Sequence, residues 1–172
     1  MDVVRRLLSA LPFGAAACQG REDPPLDAAD IAFIQQATMA GAGMVSLGRL
    51  AARRSSSPMV RQFAQRIVAE RAVVDRELST IARRRGVPPP AQDSQDTEVV
   101  RALSAYTGAD FDSRYMAQQV QAHELQRALF IDQAQAGTDP ELRAFAARYL
   151  PVVEAHARMA RAVLDSVSDP MR

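Results

Sequence analysis

The sequence predicts an all-α protein in which four long helices form a bundle. Apolar residues recur at helical spacing in four long segments, as is typical of helices that bury one face. Hydrophobic residues make up 48% of the 172 residues and aromatic residues only 5%. This aliphatic, alanine-rich composition favours helices over a β-sandwich. The length suffices for one domain with a sizeable core.

Cap and breaker residues indicate where each predicted helix begins and ends. A Ser-Pro pair at 57–58 and an Asp-Pro pair at 139–140 open the second and fourth helices, and Gly86 and Gly137 end the second and third. Each helix has about 27 residues and hence a length of roughly 40 Å. The predicted bounds of the first and third helices are 27–54 and 110–136. The third helix is predicted to bury Met116, Val120, His123, Arg127, Phe130 and Ala134.

The connection between the second and third long helices is unusually long. It covers residues 87–109 and begins with three prolines, which cannot form a helix interior. A short extra helix is predicted at about residues 97–106. A connection of this length can cross the whole bundle.

Each long helix carries an unusual residue near the middle of its buried stripe. These residues are Met44, Arg71, His123 and His156, and the last two are the only histidines in the chain. Because the midpoints of equal helices lie at similar heights in a bundle, we expect one buried layer. Flanking residues that can supply partners are Glu70, Tyr115, Gln119, Glu124 and Glu154.

This layer has more than one chemical interpretation. His123 and His156 form a candidate pair of transition-metal ligands, with Glu70 and Glu154 as further candidates. A bundle di-iron site, however, uses two Glu-x-x-His pairs, and the sequence contains none. The favoured interpretation is a buried polar cluster without a cofactor, in which Arg71 pairs with Glu124, Glu154 or a histidine, because an unpaired buried guanidinium is costly. Small-molecule binding in the layer is a third interpretation.

The first seventeen residues have the pattern of a signal peptide. Arg5 and Arg6 precede an apolar run over residues 7–17 that ends in small residues. This run is too short to span a bilayer as a helix. The sequence therefore predicts export from the cytoplasm.

Cys18, the only cysteine, follows three alanines in a pattern that resembles a bacterial lipobox. Lipidation there would anchor the protein to a membrane, with residues 18–26 as a tether and residues 27–168 as the bundle domain. Gln19 beside it favours the outer membrane. The alternative is ordinary signal cleavage after Ala17, which would release a soluble periplasmic or secreted protein.

Composition and motifs exclude several classes of function. The formal net charge of +1 argues against nucleic-acid binding, which requires a basic face. All the basic residues are arginine, which excludes lysine chemistry. The sequence has no nucleophile elbow, phosphate loop or His-Glu metalloprotease motif. We therefore expect a non-enzymatic structural, stress-related or binding module, with a metal- or oxidant-handling protein as the alternative.

Four segments of the chain resemble the bacterial exported family called domain of unknown function 4142. The resemblance implies a ferritin-like helical bundle in the cell envelope, without an assigned chemistry. In the family pattern a glutamate stands at Met44 and an Asp-His pair at Glu70 and Arg71, whereas His123 and His156 match. The resemblance thus implies that Arg71 places a positive charge where relatives would hold a metal ion. The segments are Ala37–Ala52 (ATMAGAGMVSLGRLAA), Ser57–Glu70 (SPMVRQFAQRIVAE), Phe111–His123 (FDSRYMAQQVQAH) and Asp139–His156 (DPELRAFAARYLPVVEAH).

Overall fold

The structure, a computed structural model, describes residues 24–91 and 94–168, which form five helices and no strand. The predicted all-α class is confirmed. None of these helices combines the length and apolarity that a membrane span requires. The predicted signal peptide and Cys18 lie outside the described residues. The helices are α1 (Ala28–Arg54), α2 (Pro58–Arg84), α3 (Ser94–Ser104), α4 (Gly108–Ala136) and α5 (Pro140–Ser168).

The helix ends follow the cap residues of the sequence. Asp27 caps α1 by accepting a hydrogen bond from the backbone N–H of Asp30, and Ser57 caps α2 ahead of Pro58. Gly86 follows α2 with a φ of +69°, a conformation that glycine adopts without steric cost. Gly137 forms the C-cap of α4. Local sequence therefore determines where the long helices stop.

The four long helices pack as two antiparallel hairpins, α1 with α2 and α4 with α5. Gln133, near the end of α4, donates a hydrogen bond to Asp30, near the start of α1. Ser56, after α1, donates one to Asp112, near the start of α4. Helices α1 and α4 therefore run antiparallel, and we call the two ends of the molecule the Asp30 end and the Asp112 end.

The connection from α2 to α4 crosses the length of the molecule, because α2 finishes at the Asp30 end and α4 starts at the Asp112 end. It contains α3, which packs against α1 and α4. The extra helix begins at Ser94, three residues before the predicted start.

Two apolar clusters fill the interior. The cluster toward the Asp112 end includes Phe63, Phe111 and Tyr115, and the cluster toward the Asp30 end includes Phe33 and Phe130. The buried side chains of Arg71, Gln119, Gln126, His123 and His156 belong to neither cluster. A polar layer thus separates two apolar halves of the core.

The buried stripe of α4 differs from the predicted one. Val120, Arg127 and Ala134 are only half-buried, because the helix is rotated to bury polar side chains instead. The sequence pattern missed this face because glutamines on it look like surface residues. The buried residues of α4 are Phe111, Asp112, Tyr115, Met116, Gln119, His123, Gln126, Phe130 and Gln133.

A polar network closes the Asp30 end. One carboxylate oxygen of Asp30 accepts a hydrogen bond from Gln133 Nε2 at 2.6 Å. The other accepts from Thr138 Oγ1 at 2.7 Å and from the backbone N–H of Asp139 at 2.8 Å. These hydrogen bonds lower the pKa of Asp30, although its burial acts in the opposite direction. The network ties the start of α1 to the turn between α4 and α5.

Asp139 joins this network to α2. One of its oxygens accepts from the backbone N–H groups of Glu141 and Leu142, in the first turn of α5. The other lies 2.7 Å from Arg85 Nη1, and both side chains of this ion pair are at most 6% exposed. Arg85, the last of three consecutive arginines, therefore joins the end of α2 to the start of α5.

Candidate functional site

The four residues that were predicted to form one layer are each at most 3% exposed. They are Met44, Arg71, His123 and His156. The two histidine rings meet edge to face, with their centroids 5.6 Å apart and an interplanar angle of 88°. Met44 packs in the apolar cluster toward the Asp112 end. The structure thus brings the two histidines into contact, with Arg71 close enough for its charge to lower the pKa of both.

Arg71 pairs with Asp75, one helical turn further along α2. Its Nη2 group also donates a 3.4 Å hydrogen bond to the backbone oxygen of Ala37 on α1. The predicted partners, Glu124, Glu154 or a histidine, were wrong, because the four-residue spacing places Asp75 on the same face of the helix. Burial lowers the pKa of Arg71, against the effect of Asp75, and burial raises the pKa of Asp75.

Gly41 makes room for this ion pair. A Cβ atom at Gly41 would overlap Arg71 Nη2 and would lie 2.6 Å from Asp75 Oδ1. The absence of a side chain therefore lets the guanidinium lie directly against α1. Gly41, Arg71 and Asp75 form one fitted unit across the α1–α2 interface.

His156 is bound to Glu70, one of the flanking residues that the sequence suggested as partners for the layer. Its Nε2 atom lies 2.5 Å from Glu70 Oε2, and the same carboxylate accepts a 2.7 Å hydrogen bond from Arg66 Nε. Burial lowers the pKa of His156, although the Glu70 carboxylate acts in the opposite direction. Glu154, the other candidate acidic ligand, is half-buried and hydrogen-bonds to neither histidine.

His123 is held in one tautomer by the backbone of its own helix. Its Nδ1 atom lies 2.8 Å from the carbonyl oxygen of Gln119. Because a carbonyl oxygen only accepts, Nδ1 carries the proton and Nε2 carries the lone pair. Burial, with contributions from the charges of His156 and Arg71, lowers the pKa of His123 to about 4. The imidazole is therefore neutral at pH 7, and its buried Nε2 atom hydrogen-bonds to no described residue.

Four further polar side chains on α4 have a buried atom without a partner, and one of them is Asp112, whose Oδ1 atom hydrogen-bonds to no described residue. The Tyr115 hydroxyl, both amide atoms of Gln119 and the Gln126 Nε2 atom are buried and hydrogen-bond to no described residue. Burial also raises the pKa of Tyr115. Gln119 and Gln126, two helical turns apart, line a groove of about 580 Å³ between α1 and α4. Gln126 was not among the residues predicted for the layer, although its spacing from Gln119 puts both on one helix face.

The layer has one feature of a metal site but lacks others. His123 Nε2 has the protonation state of a metal ligand. Among residues 24–91 and 94–168, however, no three His, Cys, Asp or Glu side chains are grouped so that they could hold a metal ion. The guanidinium of Arg71 adds a positive charge that repels a cation. The arrangement can accept a hydrogen bond at His123 and can stabilise negative charge near Arg71.

These features define the class: an all-α protein of paired long helices with a polar layer buried between two apolar clusters. The chain belongs to the family described as Domain of unknown function (DUF4142), whose model matches residues 15–163. The resemblance of the four sequence segments to this family is thereby confirmed. No curated protein matches the sequence significantly.

Two solved structures share this fold. The crystal structure of a DUF305 fragment from Deinococcus radiodurans matches 83% of this chain and 99% of its own, with a TM-score of 0.73 and 20% identity. CopM in the Cu(I)-bound form matches 77% of this chain and 93% of its own, with a TM-score of 0.65 and 17% identity. At these identities the similarity establishes the fold alone.

Proposed function

We propose that this protein is an exported, ferritin-like four-helix bundle, anchored to the outer membrane through lipid on Cys18, that serves as a non-enzymatic structural, stress-related or binding module. The observation that carries the proposal is the buried Arg71–Asp75 pair beside the two histidines. It puts a fixed cation into the layer where a ferritin-like metal protein holds its ions.

The chain path supports the ferritin-like part of the proposal. Ferritin-like bundles have one long crossover connection between two helical hairpins. Here the segment from α2 to α4 is long and runs from the Asp30 end to the Asp112 end. The other two connections have three residues each.

Electrostatics support a structural role for the layer. The charge of Arg71 lowers the pKa of both histidines, and the same field disfavours a metal cation between them. His156 also directs its Nε2 atom to Glu70, and His123 directs its N–H to the Gln119 carbonyl. These contacts hold both rings in place without a metal.

Elemental analysis of protein purified without chelators tests the absence of a metal. We expect no stoichiometric transition metal in the native protein. A stoichiometric metal that is lost in His123→Ala or His156→Ala would overturn the non-metal assignment. Arg76→Ala, which changes an exposed arginine on α2, serves as the control.

Intact-mass analysis of protein from membranes tests the anchor. We expect a diacylglyceryl group on Cys18 and a shift of Cys18→Ser to the soluble fraction. Pro24, six residues later, accepts a hydrogen bond from Arg85, so the tether would leave at the Asp30 end. Six residues reach about 20 Å at most. An unmodified soluble product that begins at Cys18 or later would remove the anchor and leave a secreted or periplasmic protein.

A metal- or oxidant-handling role is the second candidate, favoured by one observation. The buried His123 Nε2 atom carries a lone pair and has no hydrogen bond to a described residue. Together with His156 it would offer two imidazole nitrogens to a soft ion, and Cu(I) is bound by CopM, which has the same fold. The elemental analysis above distinguishes the two candidates.

A further inference from the structure

The groove between α1 and α4 has properties that the proposed function does not use. It has a volume of about 580 Å³, within the range of small-molecule sites. Val99 of α3 and Leu125 of α4 also line it, and Leu125 is 67% exposed. Its walls are mainly apolar and include Met44, Leu47 and Leu129.

The groove contains no ionisable side chain among its lining residues, in contrast to the neighbouring histidine layer. A charged ligand would lose hydration there without gaining an opposite charge, which is unfavourable. The lining therefore selects for a neutral molecule with an apolar body.

Five glutamines line the groove, and two of them, Gln119 and Gln126, are buried. Gln119 is 0% exposed and Gln126 is 2% exposed. Both Oε1 and Nε2 of Gln119, and Nε2 of Gln126, hydrogen-bond to no described residue. Buried amides in folded proteins are nearly always hydrogen-bonded, so three such atoms at one groove call for an explanation.

The pattern of donors and acceptors specifies the ligand further. The Gln119 amide offers one acceptor and one donor side by side, which a carboxamide edge matches with two reciprocal hydrogen bonds. Gln126, seven residues and roughly 10 Å along α4, offers a further donor for a carbonyl oxygen. We propose that this groove binds a neutral, largely apolar small molecule that carries a carboxamide-type edge, meaning an adjacent N–H and C=O, as in a primary amide, lactam or urea.

Three probes that share a naphthalene ring system and differ only in one substituent test the proposal. Isothermal titration calorimetry on the full chain, with matched detergent buffer as the blank, would compare 2-naphthamide, 2-naphthoate and 2-methylnaphthalene. We expect 2-naphthamide to bind at least fivefold more tightly than either other probe. Failure of 2-naphthamide to bind, or binding no tighter than that of 2-methylnaphthalene, would overturn the proposal.

Variants locate the binding in the groove. Gln119→Leu should weaken 2-naphthamide at least fivefold and leave 2-methylnaphthalene unchanged or tighter. Gln126→Leu should weaken 2-naphthamide at least twofold, and it keeps the test decisive if Gln119→Leu fails to fold. Gln65→Leu, an exposed glutamine on α2, is the matched control and should change nothing. Equal affinity of the wild type and both groove variants for 2-naphthamide would refute the assignment. The result is independent of the lipid and of any metal, so it stands apart from the tests of the proposed function.

Discussion

The Asp30 end and the histidine layer are both buried and polar, but they differ in how their polar atoms are used. At the Asp30 end, both oxygens of Asp30 and both oxygens of Asp139 accept hydrogen bonds or ion pairs. In the layer, Arg71 Nε, His123 Nε2 and the Gln119 amide hydrogen-bond to no described residue. A network in which every polar atom is hydrogen-bonded fixes the packing of helices. Unsatisfied polar atoms in a core cost stability, so the layer is not arranged for stability alone.

The largest effect is expected at the satisfied end. Asp139→Ala removes both the carboxylate that faces Arg85 and the acceptor for the first turn of α5. We expect a loss of about 3 to 5 kcal/mol in the free energy of unfolding, because removing one partner of a buried ion pair is costly. Urea denaturation measures this. Glu141→Ala, whose carboxylate forms a half-exposed ion pair with Arg84, is the control. Equal losses in the two variants would contradict the importance of burial.

A pH-dependent loss of stability is expected from the layer. The folded pKa of His123, about 4, is below its usual value of 6.5, so the unfolded chain binds more protons between these values. The contribution of His123 to the free energy of unfolding should therefore have its full value above pH 6.5. It should fall by about 3 kcal/mol in total as the pH drops toward 4.

Thermal unfolding across this pH range checks the effect against His123→Gln. That variant should show a much flatter profile between pH 6.5 and pH 4. Its remaining slope reports the other groups with lowered pKa values, including His156. Identical profiles for the two proteins would refute the assignment of the acid sensitivity to His123.

The Arg71–Asp75 pair should respond differently to the loss of each partner. Asp75→Ala leaves a buried guanidinium without its carboxylate, and we expect a loss of about 2 kcal/mol. This is below the full range for buried pairs because the Asp75 side chain is 34% exposed and water screens it. Arg71→Met should be neutral or stabilising, since an apolar chain of similar length fills the same space. Equal destabilisation by both substitutions would contradict this account.

Gly41→Ala offers a smaller and more local test. Alanine favours a helix by about 1 kcal/mol over glycine, yet its Cβ atom would overlap the Arg71 guanidinium. We expect a net loss of about 1 kcal/mol, since overpacking of this kind costs about 1 to 3 kcal/mol. In an Arg71→Met background the same substitution should become neutral or stabilising. A double-mutant cycle without coupling would show that Gly41 and Arg71 are not a fitted unit.

Local signals explain why much of the fold was predictable. Helix caps at Asp27, Ser57 and Asp139, and glycines after α2 and α4, act over a few residues and can be read directly from the sequence. Positions at the helix midpoints also predicted one layer for Arg71, His123 and His156, and all three are buried. Periodicity and equal helix length were sufficient for that step.

Tertiary packing explains what the sequence did not predict. Gln126 and Gln133 are buried because α4 is rotated toward α1, and a glutamine looks the same in a core as on a surface. The contact between Asp30 and Gln133 joins residues 103 positions apart. The pairing of Arg71 with Asp75 follows a simple helical spacing, but nothing local indicated that it would prevail over a glutamate from another helix.

The proposed function depends most on one idea, that Arg71 supplies a fixed positive charge where a ferritin-like metal protein holds its ions. Elemental analysis of the wild type beside the double variant Met44→Glu with Arg71→His tests it most directly, with Met44→Glu alone as the control. We expect no stoichiometric transition metal in the wild type and uptake of a metal by the double variant, through the new ligands together with His123 and His156. A double variant that stays free of metal, or a wild type that holds one bound by its histidines, would contradict the claim.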